Sequence, residues 1–247
     1  MGKIRFEPVP PLSDAEVQAH RDYSQSLGLP EIVPGKAGAA APRLAVVGGG
    51  TAVINHIDEL RAWDGEVWAV NRTWEWCRDN GIDATFYTID QITRAYEGVR
   101  RAVLGDPVRP QTFDDLIAQG AHIELVRLGR GSILPASTSA GTAPMIACWR
   151  GHKHVTFFGC ESSYPEGRTH INKNETDRLG SIWVECGDRE YVTCAQFIMQ
   201  AEWIAKMARA FPEFIEVRGA GFLPALVLHG DYDVTHVNRQ LHERLTA

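Results

Sequence analysis

The sequence predicts an α/β protein built on a doubly wound, mostly parallel sheet. Three observations carry this expectation. Apolar runs of strand length alternate with helical segments from residue 43 onward, the first run leads directly into a glycine triplet, and polar residues gather where the runs end. Such alternation implies crossover connections with helices on both faces of one sheet. Ligands in sheets of this kind sit beyond the carboxyl ends of the strands.

Residues 1–12 are proline-rich and extended, and Ser13-Asp14-Ala15-Glu16 is a capping-box pattern opening a helix to about Ser26. Residues 27–42 are rich in Gly, Pro and Ala and read as a linker. The chain therefore divides into a short N-terminal helical extension, 1–42, and a Rossmann-like nucleotide-binding domain, 43–247. Residues 44–47 form the first core strand. Val53, Ile54, Ile57 and Leu60 recur at helical spacing up to about Trp63. Strands follow at 66–71 and 85–89, separated by a helix over 74–80 that Gly81 closes. The pattern then predicts a helix over 92–103, a short helix over 113–118 and a strand over 122–126. Thr142 caps a helix to Arg150 whose Pro144 falls in the first turn, and 154–159 is again a strand. A hairpin turns at Gly187-Asp188, a long amphipathic helix spans 197–211, and 214–217 is the final strand. The region 229–242 reads as a polar tail or an oligomer contact.

Composition narrows the function classes. The 247 residues are 44% hydrophobic and 23% charged, as in an ordinary soluble globular protein. A net charge of −6 argues against broad binding to nucleic acid or an anionic membrane, leaving only a local basic patch at Arg127, Arg130 and Lys153. The five cysteines are widely spaced with no CxxC pair, which argues against a disulfide framework or a zinc site. No signal-peptide core or membrane-length run is present, so the expected location is cytoplasmic. His152 and His154, flanking Lys153, read as surface residues.

The triplet Gly48, Gly49 and Gly50 turns the chain sharply and admits a ligand close to the backbone. Thr51 is placed to cap the next helix, whose first-turn N–H groups attract phosphate. The triplet matches neither standard nucleotide fingerprint. Val53 stands where G-x-G-x-x-G needs glycine, and no lysine follows as in the phosphate loop of NTPases. A tight strand-to-helix corner is the structural alternative.

Three blocks, in this order and spacing, resemble one superfamily: VVGGGTAVINHIDEL, VWAVNRTWEWCRDNGIDATFYTID and STSAGTAPMIACWRGHKHVTFFGCESSY. It comprises the archaeal 6-hydroxymethylpterin diphosphokinase-like (MptE-like) proteins and the flagellin-modifying motility accessory factors. Bacterial sialyltransferases are more distantly similar to it. The resemblance covers about residues 44–164. The diphosphokinase pattern carries aspartates after its second and third strands to hold magnesium, whereas this chain has Asn71 and only Asp90. Magnesium prefers carboxylate oxygens, so the neutral strand ends are more similar to the sialyltransferase pattern, which grips a nucleotide-sugar without a metal.

The resulting candidates are specific. Gly48, Gly49, Gly50 and Thr51, with Asn71, Asp90, Ser139, Gly141 and Thr142, would bind a nucleotide. Each has a structural alternative: Asn71 and Asp90 as helix caps, and 137–142 as a capped helix packed on the sheet. Glu161 and the loop residue His170 are the candidate acid or base groups. Ser162, Tyr164 and Arg168 would contact the acceptor. Trp74 or Trp76 can stack on a base or simply pack. The leading expectation is a glycosyltransferase, sialyltransferase-like, that uses a nucleotide-sugar donor and a hydroxyl acceptor and holds no resident metal. The second is a pyrophosphokinase that uses ATP and magnesium held by Asp90 and Glu161. The third is a non-catalytic nucleotide-binding or assembly module. The expected partners are small molecules rather than membrane or nucleic acid, with a homo-oligomer contact through the N-terminal helix as a further expectation.

Overall fold

The computed structural model describes residues 12–34, 41–128, 138–164 and 182–237. The elements begin with α1 (Asp14–Ser26), β1 (Glu31–Ile32) and β2 (Arg43–Val47). A 3₁₀ segment (Thr51–His56) then leads into the short helix α2 (Ile57–Arg61). Next come β3 (Glu66–Val70), α3 (Thr73–Asp79), β4 (Thr85–Thr88), β5 (Arg101–Gly105), α4 (Pro110–Ala118) and β6 (His122–Val126). After these follow α5 (Ser139–Arg150), β7 (His154–Phe158), β8 (Ile182–Cys186), β9 (Arg189–Thr193), α6 (Ala195–Ala210), β10 (Ile215–Val217), α7 (Phe222–His229) and β11 (Asp233–Val237).

Eight of these strands form one sheet in the order β1-β6-β5-β4-β3-β2-β7-β10, every pair parallel. The expected doubly wound α/β fold is observed. The centre of the sheet explains its stability. Leu44 and Val46 of β2 enter one apolar cluster with Trp68, Phe157, Ile146 and Ile204, while Ala45 and Val47 enter another with Val53, Phe86, Phe113 and Phe158. Alternate side chains of each strand thus bury on opposite faces, and helices cover both. Strands β3 to β6 run out on one side of β2, and β7 and β10 lie on the other, so the chain reverses direction between β2 and β7. A crevice opens at such a switch point.

Several expectations are corrected. No helix covers 92–103; turns lead instead into β5. The reason is a period of two: Val103 faces one apolar cluster while Ala102 and Leu104 face the other. The region read as linker contributes β1, paired with β6. The region read as a polar tail begins with the end of α7 and β11, and β11 joins the β8–β9 hairpin in a separate three-stranded sheet. The predicted capping box at Ser13 and Glu16 is present, with Glu16 Oε2 accepting from the Ser13 N–H at 2.8 Å. From there α1 reaches the β5 and β6 ends, where Ser24 Oγ donates to Asp106 O at 3.0 Å and an Arg21 guanidinium nitrogen donates to Leu128 O at 3.3 Å.

His152 is not a surface residue: its side chain is 0% exposed. It sits before β7, at the amino edge of the sheet, with Nδ1 2.7 Å from Ala41 O and Nε2 3.3 Å from Glu66 Oε2. Burial alone raises the Glu66 carboxyl, but His152 and Arg150 outweigh it and hold the group below its usual range. Arg127 of the expected basic patch is paired with Glu31. None of the five cysteines forms a disulfide, and only Cys148 is exposed. No helix among the described residues is long and apolar enough to cross a membrane.

Candidate functional site

The two strand ends at the switch point close on each other through glycine. Gly48 N–H donates to Phe158 O at 2.8 Å, and Gly50 N–H donates to Gly159 O at 2.7 Å. A Cβ on Gly48 would lie 2.5 Å from Gly159 O, and one on Gly159 would collide with Gly48 O. Gly159 is also left-handed, at φ 63°, a conformation that favours glycine. The triplet therefore serves close backbone approach, and two of its amides are engaged inside the protein. Thr51 does not cap the following segment; Gly50 occupies that position without a side-chain cap.

Glu161 supplies the missing cap from β7. Its Oε1 accepts the Ala52 N–H at 3.1 Å, so a carboxyl of the protein itself occupies the first turn that the sequence offered to phosphate. The residue is 1% exposed. A Cβ on Gly50 would overlap its carboxyl, and a Cβ on Gly221 would lie 2.5 Å from the Glu161 Cβ. Gly219 also borders it. Burial raises the carboxyl above its ordinary 4.5, against the opposing pull of the backbone N–H groups of Glu161 and Ala52 and of nearby His56. Its second oxygen, Oε2, is buried with no hydrogen-bond partner among the described residues.

Two more buried side-chain oxygens without partners lie along the same carboxyl edge. Asn71 Oδ1 follows β3, and Gln91 Oε1 lies just beyond β4. Asn71 does not cap α3, whose N-cap is Arg72. Its backbone is left-handed at φ 51°, and Ser162, after β7, has φ 55°. Among the described residues these two are the non-glycine positions with positive φ, and both stand at strand ends of the switch-point region. Such conformations cost about 1–3 kcal/mol each and cluster where ligands bind.

The remaining candidates are drawn inward. Ser139 Oγ accepts the Ile89 N–H at 3.0 Å, and Thr142 Oγ1 is 2.6 Å from Tyr87 Oη, tying α5 to the end of β4. The cap of α5 is Thr138 rather than Thr142: its Oγ1 accepts the Gly141 N–H at 3.1 Å. Thr138 also donates to Gln200 Oε1 at 2.7 Å, and Gln200 Nε2 donates to Ser162 Oγ at 2.9 Å. Ser162 and Tyr164 are both 4% exposed, the latter packed against Phe197. Asp90 accepts the Ile92 N–H at 3.1 Å in a local turn. Trp74 is a core residue stacked on Tyr96. His170 and Arg168 lie outside the described residues.

The strand order bears on the magnesium alternative. Asp90 follows β4 and Glu161 follows β7, with β3 and β2 between them. At about 4.8 Å per strand the ends of β4 and β7 that carry them stand about 14 Å apart, whereas one magnesium ion needs its oxygens within about 2.1 Å of itself. Among the described residues no group of three or more His, Cys, Asp or Glu side chains is gathered to hold a metal. The described carboxylates thus do not fit the site that alternative needs.

Sequence reasoning missed Gln91 and the Gly219–Gly221 loop. Gln91 immediately follows Asp90 at a strand end, a signal that was readable. The approach of the loop after β10 to Glu161 depends on the position of β10 beside β7, which no local pattern announces.

Against known proteins, no family model and no curated sequence matches the chain. Among solved structures it is similar to the "MAf glycosyltransferase from Magnetospirillum magneticum AMB-1", with a TM-score of 0.57 and 12% identity over 87% of this chain. The match spans 40% of that protein's length. At this identity the likeness is one of fold.

Proposed function

We propose that the chain is a glycosyltransferase that binds a nucleotide-sugar across the carboxyl ends of β4, β3, β2 and β7. The observation that carries this reading is the row of three buried oxygens, Asn71 Oδ1, Gln91 Oε1 and Glu161 Oε2, none with a hydrogen-bond partner among the described residues. An unpaired buried acceptor costs about 1–3 kcal/mol, and a ligand bearing hydroxyl or amine donors removes that cost. The row extends over about 14 Å of strand spacings, longer than one sugar ring, which suits a nucleoside joined to a sugar. The fold likeness to a solved protein titled as a glycosyltransferase supports the same reading.

In the transfer step the acceptor hydroxyl oxygen bonds to the anomeric carbon as that carbon's bond to the leaving phosphate oxygen breaks. The hydroxyl proton passes to a base, Glu161 as its carboxylate or the sequence candidate His170, and the nucleotide leaves with the bonding electrons. Holding donor and acceptor in line supplies most of the rate. Because Glu161 already occupies the Ala52 amide, the donor phosphates lie beside the glycine turn rather than on that N–H.

The test is a panel of nucleotide-sugars offered with sugar acceptors, with release of free nucleotide as the readout, in buffer with and without EDTA. The reading expects turnover with at least one donor and a loss of at least tenfold in Asn71→Ala. Saturable binding without release under every donor and acceptor would favour a binding module; absence of binding by every donor would overturn the reading.

A further inference from the structure

Away from the strand ends, α6 and α7 enclose a cleft of about 360 Å³ whose walls include Glu202, Trp203, Lys206, Arg209, Asp231 and Tyr232. Its volume falls within the range of small-molecule sites, about 300–1,000 Å³. The two aromatic residues are anchored by their polar tips. Trp203 Nε1 donates to Gly141 O at 3.0 Å, and Tyr232 Oη donates to Glu202 Oε1 at 3.0 Å. Tyr232 is further braced edge-on against Phe222, with ring centroids 5.2 Å apart. With those tips engaged, the rings offer the cleft apolar surface of fixed position.

The charges of the cleft are unequally committed. Arg209 donates to Leu226 O at 2.6 Å, at the end of α7, and Asp231 Oδ1 accepts the Tyr232 N–H at 2.9 Å. Glu202 is engaged by Tyr232. Lys206 is exposed and makes no ion pair or hydrogen bond among the described residues, so its whole ammonium can meet a ligand, whereas Arg209 keeps its charge but is oriented by the Leu226 carbonyl. The Asp231 carboxylate on the wall, with Oδ1 accepting the Tyr232 N–H, has a second oxygen of acceptor character for a hydroxyl donor.

We propose that this cleft is a second ligand site, for a monosaccharide carrying an anionic group, such as a sugar acid or sugar phosphate. The ring lies against Trp203 and Tyr232, a ring hydroxyl donates to the Asp231 carboxylate, and the anionic group rests on Lys206. This site is separate from the proposed donor site and does not depend on it.

The test is calorimetric titration of the full chain with glucuronate, glucose 6-phosphate, glucose and inorganic phosphate. Glucuronate and glucose 6-phosphate should bind saturably, with glucose and phosphate at least tenfold weaker. Lys206→Glu should weaken both anionic sugars at least tenfold without lowering Tm, and Trp203→Phe should retain most of the binding because the ring persists. Failure of both anionic sugars to bind, or equal binding by the Lys206→Glu protein, overturns the proposal. So does binding that Glu161→Gln weakens while Lys206→Glu does not, since the sugar would then occupy the strand-end site.

Discussion

Replacing Glu161 with methionine separates a carboxyl kept for a ligand from one kept as a structural cap. The change removes the Oε1 bond to the Ala52 N–H, at 3.1 Å, and a hydrogen bond to a charged group contributes about 1.5–3 kcal/mol. It also removes Oε2, whose burial without a partner costs about 1–3 kcal/mol. Methionine has a similar length and fills the space between the glycines without a cavity. The two terms nearly offset, so stability should stay within about 1 kcal/mol of the parent, a change in Tm of at most about 4 °C for a chain of this size. Ligand binding loses a charge-assisted bond, which corresponds to about 10- to 150-fold in Kd. Thermal unfolding with and without a panel of nucleotides and nucleotide-sugars measures both. A fall in Tm of more than about 8 °C, with an unchanged ligand-induced shift, would refute the reasoning, because Glu161 would then be a cap and nothing more.

Other expectations follow from the same geometry. Burial raises the Glu161 carboxyl above 4.5, so the folded protein holds this proton more tightly than the unfolded chain. Its stabilising contribution is complete below the unfolded value and is lost as pH rises through the higher folded one. Denaturant midpoints of Glu161→Gln should therefore fall less than those of the parent between pH 4.5 and neutrality; parallel curves would contradict the assignment. Gly159→Ala combines a left-handed backbone with a collision at Gly48 O, and should cost at least about 3 kcal/mol, read as a Tm lowered by at least about 6 °C. His152→Gln removes a buried imidazole from the partly buried Glu66 and Arg150 pair at the opposite sheet edge, and should cost about 1–3 kcal/mol while leaving nucleotide-sugar affinity unchanged in the folded protein. A parallel loss of affinity would show that the two edges are coupled.

The parallel core was legible because each strand is a short run buried on both faces, flanked by glycine or a polar cluster. Strands β2, β3, β4, β6 and β7 announce themselves this way. Strand β5 did not, because Ala102, Val103 and Leu104 follow apolar residues that also fit a helix when sheet partners are unknown. Strand β1 spans two residues, and its place beside β6 is a tertiary fact with no local pattern. Strand β11 alternates weakly because much of it is exposed. At the site, Gly48, Asn71 and Glu161 could be named from strand ends alone. What they do could not, since Glu161 caps the first turn after β2 only because β7 lies next to β2. Ser139 and Thr142 have the chemistry of nucleotide contacts and Ser162 that of an acceptor contact, but the fold engages their hydroxyls with Ile89, Tyr87 and Gln200.

The central claim is that the unpartnered oxygens along the carboxyl edge await a donor-rich nucleotide ligand, and Gln91 tests it with least disturbance. Gln91→Met removes Oε1, which has no hydrogen-bond partner among the described residues, and keeps the side-chain length. Calorimetric titration of the parent and this variant with the nucleotide-sugar that most stabilises the parent gives the answer. The account predicts an unchanged or higher Tm without ligand and a Kd at least tenfold weaker. Equal affinity in both proteins, or no saturable binding of any nucleotide-sugar by the parent, would contradict it.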